Sequence, residues 1–374
     1  MANRGQGEGS IYRRADGRWC AAVKLEGGGR RVFYGRTRRE AAEKLHAAME
    51  ARLRGASLAT AGLTTAIFLE RWLRESAAPK VRPKTYDGYE SLVRLHIVPA
   101  LGAIPLEKLG PQDVQALLNR KVAEGLAPKT VLYMRGVLRT ALNRAVRWSL
   151  VTRNAAALTD PPRYTPKEVR YLQLDEIRLL LGIIKGDRLE ALFIAAIALG
   201  MRQGELLGSR WSDVDVDAAR WHVRRQLQRR AGTLTYTEPK TTHGRRTLDV
   251  PASLVAALRS HRARQLEERL VAGDQWHDDN LVFCTPLGGP LIGTQVTKHL
   301  QQLAQTAKIP PLRFHDLRHT CATLLLAQQV PARVVMELLG HSQISLTMNL
   351  YSHVLPALRK EAAERMEVAL SLVQ

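Results

Sequence analysis

The chain has 374 residues, with 56 Lys+Arg against 35 Asp+Glu and a formal net charge of +21. At 45% hydrophobic and 24% charged residues it has ample apolar mass for a folded core, which excludes wholesale disorder. No run of about 18 apolar residues occurs and the first twenty positions hold no apolar signal core, so the expectation is a cytoplasmic protein with neither membrane span nor secretory signal.

So large a positive excess points to a polyanionic partner, with nucleic acid the first candidate. Arg accounts for 43 of the basic residues. Its fork suits bidentate phosphate contacts, although a GC-rich genome produces the same bias. Cys20, Cys284 and Cys321 lie far apart without a CxxC pair, against a disulfide scaffold or a thiolate zinc site.

The length predicts two or three domains. Residues 1–56 show three short strand-like runs, Ser10–Tyr12, Trp19–Leu25 and Arg31–Tyr34, separated by Asp16-Gly17 and Gly27-Gly28-Gly29. A helical stretch follows from Arg38 to Leu53, with Ala42, Leu45, Ala48 and Met49 at helical intervals. Residues 64–155 read as all helix. Thr64 caps the first helix and Pro83, Pro111 and Pro128 open the others, at the position where proline's missing N–H costs nothing. Pro161–Pro166 is a linker. Residues 165–374 are mixed: helices at 174–184, at 188–199 closed by Gly200, and at 252–271; strands at Trp221–Leu227, Thr247–Val250 and Leu281–Cys284; then helices to the end. The fold class is multidomain α+β. Residues 1–56, 57–160 and 161–374 carry 13, 15 and 28 basic against 6, 8 and 21 acidic side chains, so each part nets +7.

No GxxxxGK[ST] loop and no HExxH motif occurs, which argues against ATP use and against a zinc hydrolase. His315 and His319 stand four apart without a third ligand nearby, so a packed pair is expected rather than a metal site. Asp213, Asp215 and Asp217 lack the pattern of a calcium loop and are expected as solvated loop carboxylates.

The remaining candidates are cations and one phenol. Arg202 lies in GMRQGE, Lys240 in EPKTTHGRRTLDVP, His315 and Arg318 three apart in FHDLRHT, His341 in LGHS, and Tyr351 in NLYSHV. Each has a plainer reading: a surface ion pair for Arg202, a solvated loop for Lys240, a polar helix start for His315 and Arg318, a core position for Tyr351. Together they are what a metal-free phosphodiester transesterification needs. Guanidinium forks and imidazoles neutralise charge on the nonbridging oxygens, a phenol permits a covalent intermediate, and a proton donor such as Lys serves the poor alkoxide leaving group.

The ordered set Arg202, Lys240, His315, Arg318, His341, Tyr351 resembles the tyrosine recombinase (phage integrase) family, and the resemblance runs over the whole chain. It implies an arm-type DNA-binding domain at 1–56, a helical SAM-like core-site-binding domain at 64–157, and a mostly α catalytic domain with a small antiparallel sheet at 165–374. By position, Tyr351 is implied as nucleophile forming a 3′-phosphotyrosyl bond. Arg202 and Arg318 hold the nonbridging oxygens, Lys240 protonates the leaving 5′-oxygen, His315 assists proton transfer on the tyrosine side, and His341 donates to a nonbridging oxygen. Glu205 and Asp316 are implied as orienting groups, with helix capping as the alternative. No cofactor or metal is expected. The implied partners are double-stranded DNA attachment sites of core and arm types, a homotetramer on DNA, an excisionase or directionality factor and a host DNA-bending protein, all in the cytoplasm at the nucleoid. The amphipathic stretch 357–372 packs on a neighbouring subunit or on its own domain. The rival functions are a replicon dimer resolvase, a type IB topoisomerase-like enzyme, and a non-catalytic DNA-binding protein of the same fold.

Overall fold

The computed structural model describes residues 9–24, 30–53, 62–165, 169–230, 232–239, 244–340, 366–367 and 370–371. The chain falls into two compact units, residues 1–166 and 167–374. Two separate cores lie in the first.

The N-terminal core belongs to an antiparallel meander of β1 (Ser10–Arg13), β2 (Trp19–Lys24) and β3 (Arg30–Gly35), followed by α1 (Arg38–Leu53). Strand pairing lines up Ile11, Ala21 and Phe33 in one row. Ala41 and Leu45 of α1 cluster with Ala21 and Val23 on that face. The helix begins where Thr37 Oγ1 accepts the Glu40 N–H (3.1 Å) and the Glu40 carboxylate accepts the Arg36 N–H (2.8 Å), a reciprocal cap. A second row, Tyr12, Cys20 and Tyr34, lies on the opposite face with both tyrosines exposed.

The second core is a helical bundle: α2 (Thr65–Trp72), α3 (Pro83–Leu92), α4 (Val98–Leu101), α5 (Pro111–Ala123) and α6 (Pro128–Arg147). Thr64 caps α2 by accepting from the Ile67 N–H, and Pro83, Pro111 and Pro128 each sit in the first turn of a helix. A widened turn at Val93–Ile97 joins α3 to α4 immediately before Pro99, whose ring would crowd the Leu95 carbonyl in a regular helix. Phe68, Leu69, Met134, Leu138 and Leu142 fill the centre, and Trp72 stacks on Tyr89 at 5.7 Å.

In the second unit, α8 (Glu190–Leu199) is buried on nearly every side, as a helix apolar all round must be. Helices α7 (Leu174–Ile184), α10 (Ala252–Ala272) and α12 (Phe314–Ala327) pack against it. Also present are α9 (Gln203–Leu207), α11 (Gly293–Thr306) and α13 (Ala332–Leu339). Strands β4 (Val214–Asp215), β5 (Arg220–Val223) and β8 (Arg246–Asp249) form a small antiparallel sheet in the order β4-β5-β8. A hairpin of β6 (Gln226–Arg230) and β7 (Thr233–Thr237) stands beside it. Among the described residues no helix is long and apolar enough to cross a membrane. The stretch 357–372 lies almost wholly outside the described residues.

Three expectations need correcting. The run Trp221–Leu227 is not one strand: it is divided between β5 and β6 at Arg224-Arg225, where Arg225 turns to Asp213 at 2.7 Å. Asp213 is accordingly not solvated but 1% exposed, also accepting the Arg210 N–H; Asp217 is solvated as expected. Leu281–Cys284 makes only isolated bridges, Leu281 to Arg210 and Cys284 to Pro290. Side chains of α10 take the place of a ladder: Gln265 Nε2 donates to Leu281 O (3.0 Å), and His261 Nε2 lies 2.7 Å from Val282 O. Gln265 Oε1 also accepts the Trp211 indole N–H at 2.6 Å. Gln265→Met leaves these buried groups unpaired, so the expected loss is about 2–4 kcal/mol in urea denaturation; a change under about 0.5 kcal/mol would contradict this account.

Candidate active site

The site grows from one turn. Gly200 closes α8 in the left-handed conformation (φ 57°, ψ 25°), and a Cβ there would run into Leu339 and lie 3.1 Å from Cys321 Sγ. Only glycine meets both conditions without strain. Its carbonyl accepts from Arg318 Nη1 of α12 at 2.8 Å. Two residues on, Arg202 occupies the N-cap of α9. A single tight turn thus sets the positions of both arginines.

Glu205 organises the charges around it. It is 2% exposed, and its Oε1 accepts from Arg202 Nη1 (2.7 Å) while its Oε2 accepts from Arg246 Nη2 (3.0 Å). Burial pushes its pKa up, but Arg246 and Arg202 outweigh that and hold the carboxyl below its usual range. Arg202 Nη2 also donates to Gly340 O (2.9 Å), and Arg246 Nε to Leu338 O (2.6 Å) at the end of α13. Gly340 is a left-handed C-cap, as LGHS predicts.

Arg318 is buried, and its Nη2 has no partner among the described residues. Burial, then the charge of Arg202, pull its pKa down to about 9, which leaves it a cation at neutral pH. His315 opens to solvent on one side and meets the His319 ring edge-on at 4.6 Å. Desolvation on the packed side, then His319, Arg318 and Arg202, lower its pKa to about 4, so it is a neutral base at pH 7. The structure therefore brings Arg202, His315 and Arg318 together. Lys240, His341 and Tyr351 lie outside the described residues. Their flanks do not: Gly340, which precedes His341, is bound by Arg202, and a Cβ on Gly244 would meet Pro239 at 2.5 Å across the segment 240–243.

Asp316 contacts neither Arg202 nor Arg318 directly. It caps α12 through the Arg313 N–H (2.8 Å) and pairs with the Arg313 guanidinium, so its capping role is the one observed. Arg246 was not singled out by the sequence reading. The signal was available: it shares one face of β8 with the buried Leu248, and a cation on a buried face requires a carboxylate. The edge of Arg246 contributes to the lining of a cavity of about 710 Å³ with Arg210, Arg224, Arg225, Arg245 and one carboxylate, Glu238, a largely basic surface. Among the described residues no group of three or more His, Cys, Asp or Glu side chains forms a metal-binding cluster.

Comparison with known proteins shows the family and the fold. The model of the phage integrase family matches residues 170–357, and that of the phage integrase N-terminal SAM-like domain matches 65–122. A tyrosine recombinase XerC-like protein of Caldanaerobacter subterraneus subsp. tengcongensis is 32% identical over 354 residues, covering 90% of each chain. An integrase of Saccharopolyspora erythraea is 29% identical, covering 80% of this chain and 81% of its own. In fold the chain is similar to the Tn1549 transposon integrase in complex with transposon right end DNA (TM-score 0.71, 22% identity, 82% of this chain and 100% of that one). It is also similar to lambda integrase in a tetramer bound to a Holliday junction (TM-score 0.56, 20% identity, 93% and 96%).

The histidine shift carries a pH signature. His315 takes a proton near 6.5 when unfolded but only near 4 in the fold. Between those values the unfolded chain binds the extra proton, so stability falls as pH drops through that window. His315→Gln should flatten the fall in unfolding midpoint between about pH 6.5 and about pH 4.5. Parallel curves for variant and parent would contradict the assigned environment.

Proposed function

We propose, for a chain that belongs to the phage integrase family and is a tyrosine site-specific recombinase, that the residues gathered at Gly200 and Glu205 carry out strand cleavage in double-stranded DNA. The Tyr351 oxygen attacks the scissile phosphorus, and its proton passes to His315, whose neutral imidazole can take it. The phosphorus–O5′ bond breaks as Lys240 gives its proton to the leaving oxygen. The result is a 3′-phosphotyrosyl bond and a free 5′-hydroxyl. Arg202 and Arg318 hold the nonbridging oxygens, and His341 donates to one of them. The 5′-hydroxyl of the partner strand then attacks the phosphotyrosine, which regenerates the phenol and yields a Holliday junction after one pair of exchanges. One phosphodiester is traded for another through a bond of similar energy, so no nucleotide is consumed.

The observation that carries this reading is the pairing of two guanidiniums through one turn beside a neutral imidazole, with a buried Arg318 nitrogen left without a partner among the described residues. Fixed donors aimed at developing phosphoryl charge are the largest single contribution such a site can make.

The partners are core and arm attachment sites, bound by residues 64–157 and 1–56 respectively, with 165–374 as the catalytic domain. The exposed Tyr12 and Tyr34, on one face of the sheet, and the surrounding arginines suit the first module to DNA. A homotetramer on DNA follows from the likeness to lambda integrase, which is described as a tetramer on a Holliday junction. Integration and excision of a mobile element, aided by a directionality factor and a host DNA-bending protein, place the enzyme at the nucleoid. The N-terminal module favours an integrase over a simple dimer resolvase.

Tyr351→Phe should bind a nicked suicide duplex normally and form no covalent protein–DNA adduct on a denaturing gel. Adduct at the parental level would remove Tyr351 from the mechanism. Deleting residues 1–56 should spare cleavage at core sites and abolish recombination that needs arm sites; identical footprints of full-length and shortened proteins would refute that division.

A further inference from the structure

We propose that Arg246 is a positioning residue for strand cleavage: acting through Glu205, it fixes the guanidinium of Arg202 that holds the scissile phosphate. The inference rests on the cleavage mechanism above and goes beyond the six residues assigned there.

Every nitrogen of the Arg246 side chain is engaged within the protein. Nη2 donates to Glu205 Oε2 (3.0 Å), Nε to Leu338 O (2.6 Å) and Nη1 to Gly244 O (3.3 Å). Its side chain is 8% exposed, so it contributes nothing direct to a phosphate at the surface. What it does is join three segments that each bear part of the machinery. Glu205 carries Arg202, Gly244 ends the segment that holds Lys240, and Leu338 stands three residues before His341. The acceptors diverge, and a planar fork with fixed donor directions can satisfy them together; a lysine ammonium offers one point charge and cannot.

Glu205 has two guanidinium partners, and they are not equivalent. Arg202 is half-buried and must meet a substrate, whereas Arg246 is enclosed and meets none. Glu205 Oε2 also accepts the Arg202 backbone N–H (3.1 Å), which ties the carboxylate to the head of α9. Arg246 sets the plane of the carboxylate about that tie; without it, the carboxylate can tilt about the capping bond and draw the Arg202 guanidinium away from the phosphate. A role limited to stability would slow cleavage only by lowering the folded fraction.

The test compares single-turnover cleavage of two nicked duplexes, one with a normal scissile phosphodiester and one with an uncharged methylphosphonate at that bond. The second has no nonbridging charge for Arg202 to neutralise. Arg246→Lys should slow phosphodiester cleavage at least about tenfold with DNA affinity retained, and methylphosphonate cleavage by less than about threefold. The ratio of the two rates does not depend on how much of the variant is folded. Arg246→Gln, which removes the charge, should give the same selective loss. Combining Arg246→Lys with Arg202→Ala should add no further defect to that of Arg202→Ala alone. Equal slowing on both substrates, no slowing, or an additive double variant would overturn the proposal. Arg202→Ala alone separates the two levels: wild-type cleavage in that variant would defeat the underlying mechanism, while its loss together with an unselective Arg246→Lys would defeat this inference only.

Discussion

A carboxylate that is 2% exposed and shared by two guanidiniums is the constraint on which the site depends. Arg318 feels the charges of both Arg202 and Arg246. Two like charges about 4 Å apart near a protein surface repel by about 4 kcal/mol. Glu205 offsets that repulsion from the centre of the group, and its two cations keep it ionised despite burial. Buried ion pairs of this sort add little to net stability, because desolvation consumes most of the attraction. Their value here is geometric, since they hold cations where the chain alone would not keep them.

The apolar scaffold explains how such a group is tolerated. Helix α8 is enclosed, so its end is fixed, and the left-handed turn at Gly200 presents one carbonyl to Arg318 while carrying Arg202 to the head of α9. The Gly340 cap, bound by Arg202, starts the segment that leads to His341 and Tyr351. Conserving the net number of phosphodiester bonds removes any need for an energy source. The work left for the protein is charge neutralisation and proton placement, the roles proposed for this cluster. The overall +21 serves a different end, a salt-sensitive grip on the DNA polyanion.

Features governed by local physics were legible in the sequence. Prolines at 83, 111 and 128 open helices, Thr64 caps one, and Gly200 and Gly340 close two, because each depends on a few neighbouring residues. The misreadings all involve distant partners. Arg225 leaves its strand for Asp213, and the Leu281 and Val282 carbonyls meet side chains of α10 rather than a ladder. Arg246 is not legible for the same reason: two of its three partners, Glu205 and Leu338, stand 41 and 92 residues away. Arg202, His315 and Arg318 were named from their order in the chain, and their convergence follows from the Gly200 turn, which periodicity does not display. Lys240, His341 and Tyr351 rest on motif and order.

In the proposed cleavage, side-chain cations gathered around Glu205 do for the scissile phosphate what a metal ion does elsewhere. The most direct measurement is the rate of covalent adduct formation by the unaltered protein on a nicked duplex, with and without excess EDTA. The account predicts equal rates in both conditions. Loss of the adduct in chelator, restored by added Mg²⁺, would contradict it.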